Sequence, residues 1–502
     1  MTTTSTPGTP ASQPSSAYRW LVLVVISLAM FGNYYVYDSI APIADILKSD
    51  LGFTDENIGG LYSVYSIAAV LVLLAGGVIV DKWGTVKSTI LFGGICAAAG
   101  VLNAVGSELY VMLGARFLLG VGAEPLIVAI TCALAKWFKG KELAFAFGVN
   151  LTIARLGSYA ADLSPTWAST AYEGGWQPPL VVAAVIGGLC LVGAILYGVL
   201  EVAARRKHSL GEAGATDRLV LSDLFSFSRS FWFITLLCVT FYSAIFPFRS
   251  FSIKYFIEAW DLTRDVAGQF NSVLPLAAMI ATPIFGLLCD KVGKRALFMI
   301  FGAITLMPVY LMMAYQVVPL TVPVVLMGIA FSLIPAVMWP SVAYIVEERR
   351  LGTAYAVMFL IQQLGVAGMN WLIGRTNDAN QASAANPDGY IPMLWIFSVL
   401  GILGLIGPLG QPLQIADDHL ITGRLRLQCQ FIPFLSFPGE HVFRARYQPG
   451  NLLPARFRVQ KRRIILLCQP QVLFIVQLIR RDSKEREGLA HHADIRPHDK
   501  RG

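Results

Sequence analysis

Gly77-Val-Ile-Val-Asp81-Lys82-Trp-Gly84 returns further along the chain as Gly286-Leu-Leu-Cys-Asp290-Lys291-Val-Gly293, its aspartate shifted by 209 positions. Each copy sets a glycine, an acid, a base and a second glycine at the end of an apolar run of about 20 residues, the length that crosses a bilayer core. A second pair keeps the register: Leu156-Gly157 and Leu364-Gly365 stand 208 apart. The chain is therefore read as two related halves.

Working outward from these loops, the composition agrees with a membrane solvent. Of 502 residues, 55% are hydrophobic and only 14% charged, with a mean hydropathy of +0.61, whereas soluble domains carry about 25% charge. Backbone groups in a bilayer core find partners only inside a helix or a closed barrel. The spacing predicts twelve helical spans, at 20–42, 58–80, 88–106, 109–135, 143–165, 178–200, 230–252, 266–289, 296–315, 319–344, 352–374 and 391–412. The expected fold is an all-α integral membrane protein of two six-helix bundles. A disordered cytoplasmic arm (1–17), rich in Ser, Thr and Pro, comes first. The bundles at 18–200 and 230–414 flank a central cytoplasmic loop (201–229), and a basic, poorly ordered cytoplasmic tail (415–502) follows.

The first span is too long and too late for a signal peptide, and the arm carries no organelle address, so the plasma (inner) membrane is the expected location. Lys136, Lys139, Lys141, Arg205, Arg206, Lys207, Lys291, Lys294, Arg295, Arg349 and Arg350 fall in alternate loops. By the excess of positive charge on the inner side, those loops and both termini are cytoplasmic.

Net charge is +8, and its placement decides its meaning. From Ile415 onward there are 16 Lys/Arg against 8 Asp/Glu, leaving 23 against 23 in residues 1–414. A neutral body with a basic appendage excludes a nucleic-acid partner for the body. The tail reads either as an unselected extension or as a lipid-surface binder through Lys461-Arg462-Arg463 and Arg480-Arg481; its apolar run Ile464–Ile479, broken by Gln469, Pro470, Gln471 and Gln477, is a poor thirteenth span. The body holds one histidine, His208, and no metal-ligand cluster, nucleophile elbow or phosphate loop. No enzyme, catalytic residue, metal or cofactor is expected. The cysteines lie in or beside spans or in the tail, without the pattern of a disulfide-stapled exterior loop.

The pattern Gly-x-x-x-Asp-Arg/Lys-x-Gly-Arg/Lys, present in both quoted loops, resembles the signature loop of the major facilitator superfamily. Arg116-x-x-x-Gly120-x-Gly122 is also similar to that superfamily, and the fifth span lacks the Gly-Pro-x-x-Gly-Gly pattern of its drug/proton antiporters. The first loop departs from the pattern at Thr85 and Val86, where basic residues are usual. The resemblance implies a gating role for Gly77, Asp81, Lys82, Gly84, Gly286, Asp290, Lys291, Gly293 and Arg295. Physically, an aspartate there accepts from a helix N-terminus and from basic side chains. Three further stretches, Gly32-Asn-Tyr-Tyr-Val-Tyr-Asp38, Ala115-Arg116-Phe-Leu-Leu-Gly-Val-Gly-Ala-Glu124, and Trp137-Phe-Lys-Gly-Lys-Glu142 with Ala154-Arg155-Leu-Gly-Ser158, resemble the lysosomal dipeptide transporter branch (major facilitator superfamily domain-containing protein 1 and microbial relatives) over residues 18–412.

Ionisable residues inside spans are costly and mark function. Glu124 and Arg155 both fall about 18–20 Å from the basic end of their spans, near the middle of the core. The repeat sets Gln363 opposite Arg155 and Leu333 or Ile334 opposite Glu124, so the pair exists in one half only. One acid and one base at the midplane suit a zwitterion: the carboxylate takes an ammonium and the guanidinium a carboxylate. The resemblance implies the same roles, toward peptide amino and carboxyl termini. The alternative is that the two neutralise each other as a packing pair, or alternate between pairing and binding.

Tyr34, Tyr37, Tyr242, Trp339, Gln362 and Gln363 are expected in the wall of that site, contributed by the first, seventh, tenth and eleventh spans. Asp38 and Arg249, 211 apart in repeat-related spans, are expected to close a gate, and Arg116 is a further membrane-embedded charge. The expected function is alternating-access transport of a small zwitterion, a dipeptide first of all, by a monomer in the lipid bilayer. An organic-anion or nitrate-type carrier using Arg116 and Arg155, and a non-transporting receptor or scaffold, are the alternatives.

Overall fold

The computed structural model describes residues 14–138, 142–206, 227–347 and 350–410, with short strands between 428 and 497. Expectations for the arm, the central loop from 207 to 226 and the tail outside those strands lie outside the described residues. The chain divides into a helical unit, Met1–Gln411, and a second unit, Pro412–Gly502. The second unit carries an antiparallel meander of six strands, β1 (Gln428–Cys429) to β6 (Ile495–Pro497), in sequence order. The apolar run beginning at Ile464 forms strands there, not a helix.

The first half of the helical unit contains α1 (Ser16–Asp38), α2 (Ala44–Leu51), α3 (Asp55–Val105), α4 (Leu109–Phe138), α5 (Leu143–Asp162), the short α6 (Ser164–Trp167) and α7 (Ser169–Tyr172), and α8 (Gln177–Arg205). The second half contains α9 (Arg229–Trp260), α10 (Arg264–Val292), α11 (Arg295–Ala314), α12 (Thr321–Ile345), α13 (Leu351–Ala379) and α14 (Ile391–Gly410). Among the described residues, 11 helical segments are long and apolar enough to cross a membrane, α3 supplying two of them. The twelfth span is α5, which carries Asn150, Arg155 and Asp162 and is less apolar for that reason. The helical unit is an all-α multi-pass membrane protein with twelve spans. Leu71, Val185 and Leu287 are among the large apolar side chains turned outward, where lipid solvates them.

The repeated loops share a positive-φ glycine as well as a sequence. Gly84 breaks α3 between the second and third spans with φ at +77°, and Gly293 ends α10 at the same φ. That left-handed region is open to glycine without the Cβ clash other residues meet. The Leu-Gly pairs mark equivalent packing: at Gly157 α5 runs against the α1 backbone, where a methyl would overlap the Phe31 carbonyl, and at Gly365 α13 meets Val239 of α9.

At the end opposite the Gly84 and Gly293 loops the two halves are sealed together. A methyl at Gly59 of α3 would overlap the carbonyl of Asn370 on α13, and one at Gly268 of α10 the carbonyl of Asp162 on α5. The first turn of α3 leaves N–H groups without helical partners; the carboxylate of Asp378, from the other half, accepts from Asp55 N at 2.9 Å and Glu56 N at 2.7 Å. Lys254 on α9 donates to Asp55 at 2.9 Å, and Arg264 clasps Asp45 with two bonds of 2.5 and 2.6 Å. The apolar core follows suit, because Ile40, Ile43, Leu47, Ile58 and Leu61 of the first half pack into the core of the second.

Candidate functional site

A cavity of about 250 Å³ lies between the halves, lined by α1, α3, α4, α5, α9, α12 and α13. All eight residues expected in the site reach it: Tyr34, Tyr37, Glu124, Arg155, Tyr242, Trp339, Gln362 and Gln363. A wider depression of about 420 Å³, lined by Tyr255, Tyr315 and Tyr390 among others, belongs to the second half alone. In the cavity between the halves an acid and a base face the same space.

Glu124 is buried on α4, just ahead of Pro125. A proline inside a helix removes one N–H and loosens the turn before it. The carboxylate accepts from Tyr65 Oη at 3.1 Å and from Gln363 Nε2 at 3.4 Å. Gln363 is the repeat counterpart of Arg155, so the second half answers the base of the first with an amide. Arg155 projects from α5 between two rings, its guanidinium carbon 5.6 Å from the centre of Tyr34 and 5.4 Å from that of Phe331. Rings hold a guanidinium by cation–π attraction without neutralising it. The alternative in which Glu124 and Arg155 pair with each other does not hold in this structure: among the described residues neither forms an ion pair. Glu124 is held by neutral donors and Arg155 by aromatic faces.

The wall opposite is also ordered. Trp339 Nε1 donates to Tyr242 Oη at 3.0 Å, and the Tyr242 ring stacks on Phe246 at 15° and 5.3 Å. Tyr37 meets Tyr62 and Tyr65 edge-on, and Gln362 lies against Cys238.

Toward the sealed end, Arg249 Nη1 stands 3.4 Å from Asp38 Oδ1, and both residues line the cavity. The sequence reading missed their companion. Asp162, at the last turn of α5, binds Arg249 Nη2 at 2.8 Å and accepts from Asn271 Nδ2, also at 2.8 Å. Two carboxylates of the first half thus grip an arginine and an amide of the second. Asp162 lay inside a predicted span, and the rule that singled out Glu124 would have found it; Tyr65, an uncharged aromatic, gave no such signal.

Arg116 is fully buried and does not line the cavity. It donates to the carbonyls of Val36 and Tyr37 at 3.0 and 2.8 Å, and its guanidinium lies over Tyr62 and Tyr37. The last carbonyls of a helix have no partner within it, and Arg116 supplies one at the end of α1. Of the loop residues, Asp290 accepts from Arg295 at 2.5 Å, and Gly77, Asp81, Lys82, Gly84, Gly286, Lys291 and Gly293 stand at the opposite end from the seal, outside the cavity. At that same end Glu201 of α8 accepts from Lys136, Tyr197, Arg205 and Trp137, which accounts for the first residue of the Trp137–Glu142 stretch.

Two pseudo-equivalent six-helix bundles around a central polar cavity, sealed at one end, define a membrane carrier. Residues 26–369 match the model of the Major Facilitator Superfamily, and the chain belongs to that superfamily: it is a membrane transporter, not an enzyme. It is 33% identical over 376 residues to the lysosomal dipeptide transporter MFSD1 of Bos taurus, covering 72% of this chain and 80% of that one. It is 23% identical to the probable sulfoacetate transporter SauU of Cupriavidus necator, over 80% of this chain and 95% of that one. Among solved structures, a bacterial homolog of the human lysosomal transporter Spinster, inward-facing and unoccupied, matches with a TM-score of 0.64 at 14% identity, over 81% of this chain and 98% of that one.

Proposed function

We propose that the protein carries dipeptides across the membrane by alternating access, with the carboxylate of Glu124 receiving the amino terminus and the guanidinium of Arg155 the carboxyl terminus. The observation that carries this reading is an acid and a base that share one cavity and are not neutralised by each other or by another described ion pair. A buried charge without a counter-charge is costly, and a zwitterion supplies both at once. The printed name of the MFSD1 relatives, lysosomal dipeptide transporter, agrees in substrate class.

The basic loops face the cytoplasm in this reading, so the seal built on Gly59, Gly268 and Arg249 faces away from it. Plasma and lysosomal membranes both accommodate that topology. Transport then requires the seal to part and the opposite end to close around the same site, as in carriers built from repeats.

An organic-anion or nitrate-type carrier, the former suggested by the name of the SauU relative, is less well supported. It would draw on Arg116, whose Nη1 and Nη2 are engaged by the α1 carbonyls and which does not line the cavity.

The test is uptake by purified protein in liposomes of a dipeptide panel set against nitrate and sulfoacetate. Dipeptides are expected to enter, and Glu124→Gln and Arg155→Lys are each expected to abolish entry in protein that remains folded. Normal uptake by either variant overturns the zwitterion site.

A further inference from the structure

Two polar side chains in the cavity wall are left without work by the roles given to Glu124 and Arg155. Asn33 on α1 and Ser158 on α5 both line the cavity and are 3% and 1% exposed. Neither Asn33 Oδ1 nor Ser158 Oγ has a hydrogen-bond partner within the protein. Buried polar atoms in native proteins are nearly always bonded, and an orphan costs about 1–3 kcal/mol.

The two residues belong to one built surface. Gly157, next to Ser158, brings α5 onto the backbone of Phe31, two residues before Asn33. Gly32, next to Asn33, fits α1 against the α8 backbone at Ile186. These contacts hold both helices at close approach beside the cavity. Ser158 also follows Arg155 by three positions, which puts it on the same helical face and about 4.5 Å further toward the sealed end.

We propose that Asn33 and Ser158 read the peptide bond of the substrate. Resting on the dipeptide reading, this adds a selectivity for the link between the charged ends. A dipeptide has one amide N–H and one amide carbonyl between its termini. The side-chain amide of asparagine offers one donor and one acceptor, and the serine hydroxyl offers either. A free amino acid carries the same two charges and nothing for these groups to bind. A site built to hydrogen-bond a substrate group rejects an analogue lacking it, because its own buried groups are then unpaired.

The experiment compares dialanine, its ketomethylene isostere, in which the amide N–H is replaced by CH2, and free alanine as inhibitors of labelled dialanine uptake in liposomes. Wild-type protein is expected to favour dialanine over the isostere by about tenfold, the worth of one hydrogen bond left unmade in a buried site. In Asn33→Ala, which loses the acceptor for the amide N–H, that ratio is expected to fall toward one with the affinity for the isostere unchanged; in Ser158→Ala, which loses the donor to the carbonyl that both ligands keep, both affinities are expected to fall together. Asn33→Leu and Ser158→Cys preserve volume and carry the same expectation if the alanine variants fail to fold. A wild-type ratio in the Asn33 variants, or wild-type affinities in the Ser158 variants, with dialanine still carried, overturns the proposal and leaves the dipeptide reading standing. Absence of dialanine uptake by the wild type overturns both.

Discussion

Arg249 holds two carboxylates, Asp38 at 3.4 Å and Asp162 at 2.8 Å, and this uneven sharing sets the logic of the seal. Asp38 faces the cavity, so a bound ligand meets the weaker of the two contacts first. Removing one member of a buried pair costs about 3–5 kcal/mol because a charge is left unmatched. Arg249→Met is therefore expected to unlatch the sealed end and lower the melting temperature in detergent. A simple exchange, Asp38→Arg with Arg249→Asp, is expected to rescue little, since it sets a new carboxylate beside Asp162; adding Asp162→Asn should restore uptake. Equal rescue with and without that third change, measured as dipeptide uptake, would count against the shared arginine. Arg116 acts differently: Arg116→Met should destabilise the protein by removing the donor to the Tyr37 carbonyl and one of the two side-chain donors to that of Val36, which keeps Ser39 Oγ at 2.9 Å, while the Michaelis constant of the folded fraction stays near wild type.

The decisive contacts between helices are glycines in repeat-related positions. Gly59 and Gly268 are 209 apart, the offset of the signature aspartates, and they meet Asn370 and Asp162, themselves 208 apart. The same structural device thus joins α3 to α13 and α10 to α5, one copy on each side of the pseudo-two-fold arrangement. Both contacts cross between the halves, so a methyl there opposes sealing without disturbing either bundle internally. Gly59→Ala and Gly268→Ala are expected to hold the sealed end open. An increased rate of thiol labelling at a cysteine introduced for Phe251, beside Gly59 and fully buried, checks this; labelling at the wild-type rate would contradict it. Gly84→Ala and Gly293→Ala differ in kind, each forcing a Cβ into a positive-φ conformation at about 1–3 kcal/mol, an effect on the bundle rather than on the seal.

For the molecule as a whole, the helical unit contains the cavity, the seal and both copies of the repeat. Truncation after residue 414 is expected to leave dipeptide uptake and its Michaelis constant unchanged within a factor of about two, a difference of about 0.4 kcal/mol. Loss of uptake in a truncated protein that still inserts would move the working part of the chain into the tail and revive the scaffold reading.

Hydropathy and the repeat were sufficient to read the twelve spans and the two halves, because a bilayer admits only internally bonded helices and the period of the repeat is carried in the sequence itself. The same reading reached Glu124, Arg155 and their aromatic wall, since a charge in the middle of a span is rare enough to stand out. Pairing between specific side chains was another matter. Asp162 as the second partner of Arg249, Tyr65 on Glu124, the enclosure of Arg155 by Tyr34 and Phe331, and the unpartnered Asn33 and Ser158 all depend on how α1, α3, α4, α5, α9 and α12 approach one another. Residues about 60 to 240 positions apart meet there at close packing, and no local pattern records which atoms face each other. The sequence by itself determined a two-fold repeated carrier with charges at its centre; the tertiary structure alone decided which of those charges bind each other and which are left facing the cavity.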